Sequence, residues 1–144
     1  MKRVAFLFLI ALVLGGCAIH QRVDPVIRTE SREICVIENP AVRQGFLEEY
    51  RRALVAKGYQ TKVLDKSAST TDCPLTSTYT ANWRWDLALY MAYAEIIVYA
   101  NGEKIGRALY DSLGGGGNLA KFISAETKIR ELVDQLFPNP VPGS

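Results

Sequence analysis

Thr76-Ser77-Thr78-Tyr79-Thr80-Ala81-Asn82-Trp83-Arg84-Trp85-Asp86 is the stretch that decides the fold. Its side chains alternate: Thr76, Thr78, Thr80, Asn82, Arg84 and Asp86 fall on one side, and Tyr79, Ala81, Trp83 and Trp85 on the other. A period of two with one polar side marks a half-buried β-strand, because successive Cβ atoms leave opposite faces of the pleat. A sheet with one apolar face needs a second layer to cover it, and the flanking sequence has to supply that layer.

Leu89 to Ala100 follows and reads as the next strand, although Leu87 to Ala92 could also be helical. A hairpin centred between Leu87 and Ala88 sets Trp83 opposite Ala92, Trp85 opposite Tyr90, Asn82 opposite Tyr93 and Thr80 opposite Glu95. On that register Trp83, Trp85, Ala92, Ala94, Ile96 and Val98 share the covered face, large rings beside small alanines as close packing requires. The other face shows Thr78, Thr80, Asn82, Arg84, Tyr93, Glu95, Ile97, Tyr99 and Tyr110. Asn101-Gly102 is a hairpin turn and leads into a further strand, Glu103 to Ser112.

Upstream, Arg32 to Glu38 has a continuous apolar centre, Ile34-Cys35-Val36-Ile37, which suits a central strand. Asn39-Pro40 predicts a helix start, with Asn as N-cap and Pro at the first helical position. Val42, Phe46, Tyr50, Ala53 and Leu54 follow at helical spacing, and Gly58 supplies the stop. Gln60 to Asp65 is a short strand. Strand, helix and strand in this order form a parallel βαβ unit with a right-handed crossover. Downstream of Gly114–Gly117, the residues Leu119, Phe122, Ile123, Ile129, Val133, Leu136 and Phe137 lie near one helical face, with Asn118 or Ser124 as N-cap and Pro138 beyond the end. The element order β-α-β-β-β-β-α predicts an α+β two-layer sandwich: a mixed five-stranded sheet with two helices on one face. The expected strand order runs second, first, third, fourth, fifth.

The N-terminus has another character. Lys2 and Arg3 precede an apolar run from Val4 to Leu14, then Gly15-Gly16-Cys17. That is the layout of a secretory signal peptide, and the run is short of the ~20 residues that span a bilayer. Leu14-Gly15-Gly16-Cys17 resembles a bacterial lipobox. The resemblance implies cleavage after residue 16, lipidation of Cys17, and hence a membrane partner through that lipid. Ala18, in place of the Asp that retains lipoproteins at the inner membrane in the Gram-negative families it resembles, implies an outer-membrane anchor with the domain facing the periplasm. Residues 18–31 read as a tether, 32–137 as one domain and 138–144, Pro-Asn-Pro-Val-Pro-Gly-Ser, as a disordered tail. With Cys17 lipidated, Cys35 and Cys73 remain as an even pair, and an exported compartment favours a disulfide between them. It would close a loop of 38 residues, worth about 4 kcal/mol on the chain-entropy model.

Composition narrows the function. The chain carries 17 basic and 15 acidic residues, and Lys2 and Arg3 belong to the leader, so the processed chain is neutral. A neutral surface argues against nucleic acid as a partner. The glycine run is not a phosphate loop, since Asn118-Leu119-Ala120-Lys121 brings no hydroxyl after the lysine position. The single histidine, His20, and two separated cysteines do not make a zinc site. No metal or cofactor is expected. Asp86, Glu95 and Asp111 are the carboxylates on or near the sheet; they could serve a small hydrolase or transferase, the alternative reading. A second alternative is a structural lipoprotein that self-associates through the open sheet.

Tyr79-Thr80-Ala81-Asn82-Trp83-Arg84-Trp85-Asp86-Leu87-Ala88-Leu89-Tyr90-Met91-Ala92-Tyr93-Ala94-Glu95-Ile96, together with Ile34 to Phe46, resembles a group of small proteobacterial lipoproteins of unknown function. The resemblance supports the compartment and implies no activity. The favoured expectation is a non-catalytic binding or envelope-assembly module, with an envelope protein or a cell-wall polymer as partner. Its binding face would carry Asn82, Arg84, Tyr93, Glu95, Tyr99 and Tyr110.

Overall fold

The computed structural model describes residues 18–139 and 141; Cys17 and the leader, residues 1–16, lie outside them. In chain order the elements are β1 (His20–Asp24), β2 (Glu33–Ile37), α1 (Gln44–Ala56), β3 (Gln60–Leu64), β4 (Leu75–Asp86), β5 (Ala88–Ala100), β6 (Glu103–Asp111), a 3-10 turn (Leu119–Phe122) and α2 (Ala125–Leu136). The strands form one mixed sheet in the order β1-β6-β5-β4-β2-β3. β2 pairs in parallel with β3 and β4, and the other pairs are antiparallel. The expected order of the five strands is therefore present, with a sixth strand added beyond β6.

That sixth strand corrects the tether. His20–Asp24 pairs with Arg107–Asp111, His20 facing Asp111 and Asp24 facing Arg107. Its alternation is short and polar, and Gln21 and Val23 both lie on the helix side. Val23 packs against the core, while Gln21 donates to Glu131 of α2 at 2.8 Å. Beyond it Val26 is buried, and its amide donates to the Leu136 carbonyl at the end of α2. Gly106 makes this approach possible: a side chain there would meet Val26 Cγ2 at 2.5 Å and Leu136 Cδ1 at 3.2 Å. At the other end Val141 is buried and its amide donates to the Lys57 carbonyl, so the tail is not wholly free.

Both helices lie on one face. Phe46, Tyr50, Ala53 and Leu54 of α1 and Ile129, Leu132, Val133 and Leu136 of α2 meet Ile34, Val36, Leu75, Tyr79, Ala81, Ala94, Ile96, Val98 and Ala108 of the sheet. Deep in this layer Tyr50 and Ser77 meet, their oxygens 2.6 Å apart; burial pushes the Tyr50 phenol well above its usual range. Glu49 joins the helices, paired with Arg52 of α1 and with Arg130 of α2 at 3.4 Å.

Helix α1 starts later than Asn39-Pro40 suggests. Asn39 is held by Tyr79: its amide donates to the phenol oxygen at 3.1 Å and its side chain to the Tyr79 carbonyl at 3.0 Å. It caps only a turn, accepting from Ala41, and the helix begins at Gln44 with no side-chain cap. Gly58 does take the left-handed conformation at the stop, with φ 92°. Asn118 and Ser124 both act as caps, Asn118 on the 3-10 turn and Ser124 on α2. Cys35 and Cys73 form a disulfide.

Candidate functional site

The face away from the helices is built in rows across the sheet. Asn82, Tyr93, Asp111 and His20 make one row; Thr80, Glu95, Leu109 and Arg22 the next; Thr78, Ile97, Arg107 and Asp24 the third. Four strands thus place alternate residues on one surface. Glu95 is its hub. It accepts from Arg107 Nε at 2.6 Å and from the Tyr93 hydroxyl at 3.3 Å. Partial burial raises the Tyr93 pKa, and the adjacent Glu95 carboxylate raises it further. The hydrogen bond to Glu95 in turn holds the Arg107 guanidinium charged more firmly. Arg22 and Asp24 pair at 3.3 Å on the edge strand.

Of the six residues expected on this face, Asn82, Tyr93 and Glu95 are neighbours on it. Tyr99 stands toward the opposite end of the sheet, facing Thr76. Tyr110 is a correction: it pairs with Ala94 and points under the helices, 1% exposed, with Lys128 Nζ 4.8 Å from its ring centroid. Its place follows from the register, since Ala94 and Tyr110 share a row on the covered side. Arg84 lies apart from the rows because of a bulge.

That bulge is the second correction. The register shifts between Asn82 and Trp83, so Trp83 faces Met91 and Trp85 faces Leu89, not Ala92 and Tyr90. Ala92 is the extra residue, and its carbonyl turns to accept from the Ser112 amide at 2.8 Å and its hydroxyl at 3.1 Å. The hairpin closes on Leu87 alone, at φ 60°. Trp83 therefore packs at the core margin, edge-on to Phe46 at 6.5 Å and beneath Arg43 at 5.6 Å. Trp85 is 74% exposed and is not core: the helices end before the hairpin does.

Between the hairpin and the helix starts lies a cleft of about 470 Å³ lined by Arg43, Phe46, Trp83, Tyr90, Phe122 and Glu126 among others. Tyr90 and Phe122 meet edge-on at 5.4 Å. Lys121, whose Nζ lies 5.4 Å from the Tyr90 ring centroid and 5.2 Å from that of Phe122, was not legible as a site residue. Its Nζ donates to Asp86 at 2.5 Å and to the Gly116 carbonyl, which ties the glycine loop to the hairpin. The three sheet carboxylates do not converge. Asp86 is held by Lys121, Glu95 by Arg107, and Asp111 accepts from the Leu113 amide at 2.9 Å.

No family model and no curated protein matches the chain. Among solved structures the fold is similar to the PelC dodecamer from Paraburkholderia phytofirmans, at a TM-score of 0.56 and 12% identity over 83% of this chain and 98% of that one. A single-residue variant of PelC from the same organism, also a dodecamer, aligns at a TM-score of 0.53 and 11% identity, covering 83% and 94%. At these identities the likeness is one of fold.

Proposed function

We propose that this chain is an outer-membrane lipoprotein, anchored at Cys17 with its domain in the periplasm, that works without catalysis as an envelope-assembly module joining copies of itself. The observation that carries this reading is the sheet face left bare by the helices. It presents Tyr93, Glu95, Arg107 and Arg22 in a fixed, hydrogen-bonded array, and Tyr and Arg are the residues that anchor interfaces. The two sheet edges, β1 and β3, add backbone groups for a neighbour. Contact of one patch on a different patch of the next copy closes rings, and the dodecameric assembly of PelC lends support on the same fold. The lipobox and Ala18 support the compartment. Asp86, Glu95 and Asp111 are engaged separately, which gives no reason to assign a catalytic role.

The test is mass determination of the processed protein in detergent, with Glu95→Arg as the variant. A defined multimer that this change dissociates, with the fold intact, supports the reading. A monomer at every concentration overturns it.

A further inference from the structure

We propose that the β4–β5 hairpin tip is a membrane-insertion element, seating Trp85, Leu87 and Leu89, with Leu119 beside them, in the leaflet that holds the Cys17 lipid. The inference rests on the lipid anchor of the proposed function and adds a second point of attachment to it.

Three observations carry it. The first is exposure. Trp85 is 74% exposed, Leu87 87%, Leu89 52% and Leu119 78%. Trp85 and Leu89 are cross-strand partners, so they share one side of the hairpin. Leu119 sits on the 3-10 turn whose Lys121 is bonded to Asp86 at the tip. The second is the conformation of Leu87. A left-handed φ of 60° at a leucine costs about 1–2 kcal/mol, and in the folded domain the side chain gains almost no burial in return. Glycine or asparagine would serve the turn better. Burial in lipid is what would reward a leucine here.

The third is where the described chain begins. β1 runs antiparallel to β6, so His20 lies in the row of Asp111, Tyr93 and Asn82. This is the end of the sheet from which the hairpin projects. Ala18 is at the same end: a side chain at Gly114 would meet its carbonyl at 3.4 Å. From Asn82 to Asp86 the hairpin runs on by four residues, about 13 Å at strand rise, the bulged Ala92 adding no length on the partner strand. Cys17 precedes His20 by three residues, a reach of at most about 11 Å. With the lipidated residue at the membrane surface, the tip extends about 2 Å further along the strand direction even when the linker is fully extended, and a less extended linker brings it to the roughly 5–10 Å depth at which amphipathic elements sit in the headgroup and acyl boundary. Trp suits that boundary, and Arg84 on the flank can keep its charge among the headgroups. The exposed tip, Trp85 to Leu89, is short of the ~9–11 residues with which a strand spans a bilayer, so it lies in the interface and does not span it. Two attachments fix the tilt of the domain, and the bare sheet face then stands to the side, toward neighbours on the same membrane.

The experiment uses the acylated full protein carrying Trp83→Phe, so that Trp85 is the only tryptophan, reconstituted in phosphatidylethanolamine–phosphatidylglycerol vesicles with brominated acyl chains. The expected result is flotation with the vesicles, a blue-shifted Trp85 emission and loss of most of that emission to the bromines. Adding Leu87→Asp should restore the emission while flotation persists. Flotation with Trp85 unquenched and red-shifted overturns the insertion and leaves the anchor standing. Failure to float, with the protein folded, overturns the anchor and the insertion with it. A blue shift that appears without vesicles and grows with protein concentration also overturns it, because the tip is then covered by another copy.

Discussion

The hairpin of β4 and β5 has two halves that carry the same side-chain alternation and meet different surroundings. In the body, Tyr79 and Ala81 face Ile96 and Ala94 under both helices, and all four are buried. In the tip, Trp85 faces Leu89 and both are open to solvent. The Ala92 bulge lies between them. The body is therefore held by packing, and the tip by the pairing of two strands and the Lys121 clamp. Alternation reports the pleat of a strand; it does not report how far the covering layer extends.

Substitutions should separate the halves. Ile96→Ala removes buried volume in the body and should cost about 2–5 kcal/mol in denaturant unfolding. Gly106→Val presses a side chain into Val26 and the end of α2, and overpacking of this kind should cost about 1–3 kcal/mol. Trp83→Ala lies at the boundary. Half-buried, it should cost about 1–2 kcal/mol, less than a fully buried ring. Trp85→Ala should stay within about 0.5 kcal/mol. Equal losses at Trp83 and Trp85 would erase the distinction.

The body was legible because its signals are local and mutually consistent. The run Ile34 to Ile37, the alternation from Thr76 to Ala81 and the Gly58 stop agree with one another, and they place β2, the body of β4 and the end of α1. The tip was not, because a single extra residue, Ala92, changes the partners of every residue beyond it without altering the pattern of either strand. Asn82, Tyr93 and Glu95 fall on the open face, as the sequence register has them, because they lie on the near side of that bulge. Tyr110 was misplaced because a register in the neighbouring strand, not its own type, decides its face. β1 was missed because five polar-rich residues, His20 to Asp24, show no apolar period; what holds them is a hydrogen-bond network to α2.

That network makes a smaller, local prediction. Burial alone would raise the Glu131 pKa, but hydrogen bonds from Lys128 at 2.7 Å and Gln21 at 2.8 Å outweigh it and hold the carboxyl below its usual value. A carboxyl with a depressed folded pKa stabilises the fold above its unfolded value, about 4.3, and that contribution is lost as pH falls through the lower folded value. The amide resonances of Gln21 and Arg22 should therefore shift below about pH 4, ahead of those of Ile96 in the body. Glu131→Gln should remove the transition. An unchanged transition in that variant would place the cause elsewhere.

The central claim, that the hairpin divides into a packed body and a bare tip, is tested most directly by acrylamide quenching of two single-tryptophan proteins. Trp83→Phe leaves Trp85, and Trp85→Phe leaves Trp83. In the protein without membrane, Trp85 should be quenched nearly as readily as free indole and emit at long wavelength, while Trp83, against Phe46 and Arg43, should be quenched several-fold less, about the contrast between an exposed and a core-margin ring. Equal quenching of the two, or stronger protection of Trp85, would contradict the account.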